Sequence, residues 1–111
     1  MKEMTKELLK TAKNVRLNSN YLRTIKILAK KYFNTEEVRI FGSRINLNKK
    51  GGDIDIYIRT SKKENILISK IAFLRDFEKQ HGEQKVDLIV ETSINKDKKI
   101  YKVARNEGVR I

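Results

Sequence analysis

The run Gly51-Gly52-Asp53-Ile54-Asp55-Ile56-Tyr57-Ile58 constrains the fold more than any other stretch of the chain. Its residues alternate with a period of two, the signature of a strand with one face on a core. Ile54, Ile56 and Ile58 share one face, and Asp53 and Asp55 share the other, about 7 Å apart along the strand. Two carboxylates held on one side repel each other unless a cation stands between them, so the pairing points to a divalent metal. Upstream, Glu37 to Phe41 also alternates, and Gly42 breaks it. Val38 to Ile58 therefore reads as two strands joined by a polar, basic loop from Arg44 to Gly52.

Helical patterns surround this pair. Leu22, Ile25, Leu28, Ala29 and Tyr32 recur at three- and four-residue steps, which predicts an amphipathic helix with Ser19 as its N-cap and an end near Phe33-Asn34. Ser61-Lys62-Lys63-Glu64 has the spacing of a capping box, and Leu67, Ile71 and Leu74, widened by Ile68 and Ala72, predict a second helix closing at His81-Gly82. Lys85 to Val90 follows as a third strand, with Val86, Leu88 and Val90 inward and Asp87 on the opposite face. Ser93 to Asn106 predicts a lysine-rich helix resting on Ile94, Tyr101 and Ala104, stopped by Gly108 before a short strand from Val109 to Ile111. Residues 1 to 17 suit a short helix or an arm.

Length and composition narrow the chemistry. The expectation for 111 residues is a single domain spanning 1–111. No apolar run approaches the length of a bilayer span and the N-terminus has no leader-like pattern, so the expected setting is soluble, cytoplasmic and away from membranes. Cysteine is absent and His81 is the only histidine, which excludes thiolate sites and leaves oxygen ligands, hence magnesium or manganese. The net charge of +12 suits a polyanionic partner such as a nucleotide triphosphate or RNA, or equally lysines spread over solvated faces. Neither a P-loop nor a dinucleotide fingerprint is present.

Nucleotidyl transfer needs what these pieces offer. A catalyst must bind an anionic triphosphate, align an attacking hydroxyl with the α-phosphorus and neutralise charge on the departing pyrophosphate. Two magnesium ions held by close carboxylates do this, and a glycine beside a serine lets backbone N–H groups and a hydroxyl approach phosphate oxygens.

Gly42-Ser43, nine intervening residues, Asp53-Ile54-Asp55, and the later Val86-Asp87-Leu88 together resemble the nucleotidyltransferases of the DNA polymerase beta superfamily. Within it, the chain is most similar to the minimal nucleotidyltransferases of the MNT/HEPN toxin–antitoxin type. The resemblance covers roughly Tyr21 to Val90. It implies an α/β (α+β) fold with a small mixed sheet and helices packed on one side. It implies that Asp53 and Asp55 bind two magnesium ions, that Asp87 joins them at the nucleophile-side ion and helps deprotonate the acceptor, and that Gly42 and Ser43 hold the β- and γ-phosphates of ATP with Arg44 as a further phosphate contact.

The plain alternatives are that Gly42-Ser43 is an ordinary turn, that Asp53 caps the turn after Gly52, and that Asp87 is a surface carboxylate. His81 reads as a helix end, and Tyr57 on the aspartates' face either stacks on a base or packs. Because the chain ends soon after Asp87, the expected acceptor site is completed by another polypeptide. The resemblance implies that this is a helical HEPN RNase toxin, neutralised by transfer of AMP from ATP. The alternatives are an antitoxin acting by contact alone, or a stand-alone transferase acting on a small molecule or an RNA end.

Overall fold

The computed structural model describes residues 15–45, 52–95 and 98–111. Helix α1 (Ser19–Phe33) leads into strand β1 (Val38–Phe41), which ends in a single 3-10 turn over Gly42–Ile45. Strand β2 (Ile54–Arg59), helix α2 (Ile66–His81), strand β3 (Val86–Glu91), helix α3 (Lys99–Glu107) and the short strand β4 (Val109–Arg110) follow. The sheet order is β3-β2-β1-β4. β1 runs antiparallel to both β2 and β4, while β2 and β3 are parallel. A parallel pair needs a crossover, and α2 provides it.

Helix α1 begins one residue earlier in its capping than the sequence suggested. Asn18, not Ser19, is the N-cap, its side-chain oxygen accepting from the Asn20 N–H at 2.7 Å; asparagine serves this role as well as serine does. At the other end Asn34 adopts a left-handed conformation (φ 50°) and donates its N–H to Lys30 O. Of the expected stripe, Leu22, Ile25, Leu28 and Ala29 are buried. Tyr32 lies at the edge and donates its hydroxyl to Asp76 of α2.

Helix α2 is rolled differently from its expected stripe. Ser69, Phe73 and Phe77 face the core, whereas Leu67, Ile68 and Ile71 are 69%, 67% and 49% exposed. Two phenylalanines at a four-residue step bury more area than the aliphatic set they displace, and burial favours them. Ser69 is admitted to that face because its hydroxyl accepts from Lys62 Nζ at 2.8 Å. The expected capping box does not form. Asn65, left-handed at φ 58°, precedes the helix without a side-chain cap, and the buried Thr60 takes the Lys62 N–H at 3.0 Å while donating to Phe33 O.

Helix α3 starts later than expected, at Lys99, and residues 96–97 fall outside the described set. Tyr101 and Ala104 are buried as expected, while Ile94 is 77% exposed and contributes nothing to the core. Gly108 closes the helix, its N–H donating to Ala104 O at 2.9 Å. The expected helix or arm over residues 1 to 17 lies outside the described residues as far as 14; Val15 and Leu17 are buried.

The strands divide their side chains between two cores. Val38, Ile40, Ile54, Ile56, Ile58, Leu88 and Val90 join residues of α1 and α2 in the larger cluster. Phe41 and Tyr57, on the reverse face, pack with Tyr101 and Ala104 of α3, and Ile89 adds to them. The helices are therefore not all on one side: α1 and α2 are, and α3 covers part of the face that carries the aspartates.

Candidate active site

Asp55 of β2 and Asp87 of β3 occupy the same register position in the parallel pair. Residues paired in this way point to the same side of a sheet, so the two carboxylates stand beside each other on the α3 face. Asp53 lies two residues before Asp55, just ahead of β2, with its Oδ2 3.6 Å from Lys85 Nζ. The Lys85 carbonyl in turn accepts the Ile54 N–H at 3.0 Å, which fixes the start of β2 against the start of β3. The Asp55 carboxyl is pushed above its ordinary range, first by burial, then by the charge of Asp87, then by that of Asp53. All three causes act in one direction. The three carboxylates thus share one electrostatic field, and a cation entering it would relieve the strain on Asp55.

On the other flank of β2, Phe41 is the register partner of Asp55, and Gly42 follows it with φ +72°. A Cβ at Gly42 would lie 2.1 Å from Asp55 Oδ2. The glycine is required twice over, for its left-handed backbone and for the closeness of the carboxylate. Ser43 and Arg44 continue the 3-10 turn. Arg44 donates Nη1 to Arg16 O at 2.9 Å and Nη2 to Gly52 O at 3.1 Å, and its own carbonyl accepts the Arg16 N–H at 2.7 Å. Its guanidinium therefore ties the turn to the segment before α1 and to the residue preceding Asp53.

The donor chemistry fits a hard divalent cation: carboxylate oxygens, no sulfur and no nearby imidazole. Asp55 and Asp87 are the adjacent pair. Among the described residues no three acidic or histidine side chains group closely enough, as they stand, to hold an ion.

A family model described as poly(A) RNA polymerase, mitochondrial-like, central palm domain matches residues 1–111. The chain belongs to this family. No curated protein matches it. The palm domain is thus of the nucleotidyltransferase type, and its four-stranded mixed sheet suits a polymerase beta-like fold. Among its described residues no helix is long and apolar enough to cross a membrane.

The palm settles two further expectations. Tyr57 packs rather than stacking on a base: it is fully buried, with its ring centroid 6.2 Å from that of Tyr101. His81 is the last residue of α2, its Nε2 2.7 Å from Thr24 Oγ1 and its ring 4.3 Å from that of Tyr21, at the seam between α1 and α2. One element escaped the sequence reading. Glu91, 1% exposed, accepts from the Tyr57 hydroxyl and from Arg105 Nη1, the latter at 2.7 Å to Oε2. Burial and then the bond to Glu91 push the Tyr57 hydroxyl up to about 12. The alternation Asp87, Ile89, Glu91 places Glu91 on the aspartates' face, but only the covering helix α3 makes it a buried, paired charge.

Proposed function

We propose that this palm domain transfers AMP from ATP to a hydroxyl on a helical HEPN-type partner, a toxin that the modification neutralises. The observation that supports it best is the Asp55–Asp87 pair at one register position, crowded by Asp53 and closed on one side by a glycine that leaves no room for a side chain. Asp53, Asp55 and Asp87 would hold magnesium, which supplies charge neutralisation on the triphosphate and lowers the pKa of the attacking hydroxyl. The Gly42-Ser43 turn presents its backbone to the β- and γ-phosphates, with Arg44 bracing it. Asp87 is the exposed member, on the edge strand, where an acceptor hydroxyl can approach and lose its proton to the carboxylate. The acceptor oxygen bonds to the α-phosphorus, the bond to the β-phosphate bridge breaks, and pyrophosphate leaves.

The family description favours a second acceptor, an RNA 3′-hydroxyl, and a net charge of +12 suits that polyanion. Incubating α-labelled ATP and magnesium with the purified chain, and either the HEPN-type partner or an RNA oligonucleotide, separates the two. Label on the partner, absent with Asp55→Asn and Asp87→Asn, is the expected result. Label on RNA alone would replace the first acceptor by the second, and label on neither, or undiminished by the substitutions, would overturn the transfer reading.

A further inference from the structure

The outer side of α2 offers a surface that the aspartate site does not use. Leu67 and Ile68 are about two-thirds exposed and Ile71 is 49% exposed. At spacings of three and four residues they form one contiguous aliphatic patch on the first two turns. The helix lies on the sheet face opposite Asp55 and Asp87, so a molecule bound here would leave the carboxylates open.

Charges around the patch describe its occupant. From Lys63 to Arg75 the chain carries Lys63, Lys70 and Arg75 beside the patch against one acid, Glu64; the next acid, Asp76, is engaged by Tyr32 and Lys31, and none of the three cations pairs with a carboxylate among the described residues. The helix also starts without a side-chain cap and without an acidic residue in its first turn, leaving N–H groups that favour a carboxylate beside the same three residues. A second copy of the chain would bring a like-charged rim and a further +12 of net charge to the contact. An anionic membrane would call for an apolar stripe along the whole helix, whereas the large exposed apolar side chains of α2 end at Ile71.

We infer that the N-terminal half of α2 docks an acidic amphipathic helix of a partner protein, whose apolar stripe covers Leu67, Ile68 and Ile71 while its carboxylates meet Lys63, Lys70, Arg75 and the uncapped helix end. The inference does not rest on the transfer reading.

The probe is a synthetic helical peptide with a leucine stripe at i, i+3, i+4 and i+7 and a glutamate rim; the control carries the same stripe with a lysine rim. Both are titrated into the isotope-labelled chain while amide resonances are followed. Shifts confined to residues 62–75, binding about tenfold weaker for the lysine-rim peptide, and loss of binding in Leu67→Gln/Ile71→Gln without a change in Tm are expected. Equal binding of both peptides, shifts centred on the aspartate face, or binding retained by the double variant would overturn it. So would a dimer in sedimentation that the double variant abolishes, which makes a second copy the occupant. Adsorption to phosphatidylserine vesicles abolished by the same variant would overturn it in favour of a membrane.

Discussion

Replacing Gly42 by alanine tests the closeness of the turn to the carboxylate most directly. The new methyl would sit 2.1 Å from Asp55 Oδ2, which falls 1.3 Å short of the 3.4 Å of ordinary contact. Asp55 must therefore leave its rotamer or β2 must shift, at a cost of about 1–2 kcal/mol. The backbone adds a second cost, because φ is +72° and an L-residue there loses about 1–2 kcal/mol. Together the loss is about 2–4 kcal/mol, a large part of the roughly 5–15 kcal/mol that holds a domain folded. Urea or thermal unfolding reads it, with a fall in Tm on the order of 10 °C. A double-mutant cycle isolates the steric part: with Asp55→Ala in place the obstacle is gone, and a coupling of about 1–2 kcal/mol is expected. Gly82 serves as the reference, since it too has positive φ (+77°) but has nothing within 4 Å of the place a Cβ would take, so Gly82→Ala measures a backbone cost alone, about 1–3 kcal/mol. A Gly42→Ala protein within about 0.5 kcal/mol of the parent, or strict additivity with Asp55→Ala, would refute the argument.

Asp55→Asn should abolish transfer yet stabilise the fold at pH 7. Carboxylates about 5 Å apart on neighbouring strands, screened by solvent at the exposed Asp87, give on the order of 1 kcal/mol. Because the folded Asp55 carboxyl is raised above its ordinary 3.8, its penalty is full above that raised value and vanishes below the unfolded one. The advantage of Asp55→Asn in urea unfolding should therefore shrink as the pH is lowered, and a gap independent of pH would contradict the electrostatic account. His81 has the opposite sense: burial lowers its pKa from 6.5, so its contribution is full above 6.5 and is lost as pH falls through the lowered value. Parent stability should drop in that window relative to His81→Gln, and parallel profiles would dismiss the effect. Glu91→Ala leaves Arg105 and the Tyr57 hydroxyl without their buried partner, and Arg105 is 30% exposed, so a loss near 3 kcal/mol is expected in the same assay. A loss under about 1 kcal/mol would mean that the network is solvated.

Where local pattern and tertiary demand agree, the chain could be read directly. The period-two runs around Ile54-Ile56-Ile58 and Val86-Leu88-Val90 placed β2 and β3, and with them the shared side of Asp53, Asp55 and Asp87, because in a strand one buried face determines the other. Helix α2 could not be read so simply. Its sequence offers two apolar stripes, Leu67-Ile71-Leu74 and Phe73-Phe77; the second turns inward with Leu74 packed at its margin, and only the shape of the sheet beneath decides this. Ile94 fell to a similar ambiguity, an aliphatic residue in front of a helix that begins only at Lys99. The bonds from the terminal nitrogens of Arg44 to the carbonyls of Arg16 and Gly52, 28 and 8 residues away, are announced by no spacing in the sequence.

The bridge between Tyr57, Glu91 and Arg105 has a consequence at the opposite end of its strands. Slipping β3 by one residue would turn Asp87 to the far side of the sheet and dismantle the acidic pair. A phenol on β2 that reaches a glutamate two positions further along β3, with an arginine of α3 closing over both, acts as a gauge: it meets that glutamate in this alignment and would lose it if β3 slipped by one residue. The separation between Asp55 and Asp87 is thereby metered from a distance, by groups that lie outside the acidic pair itself.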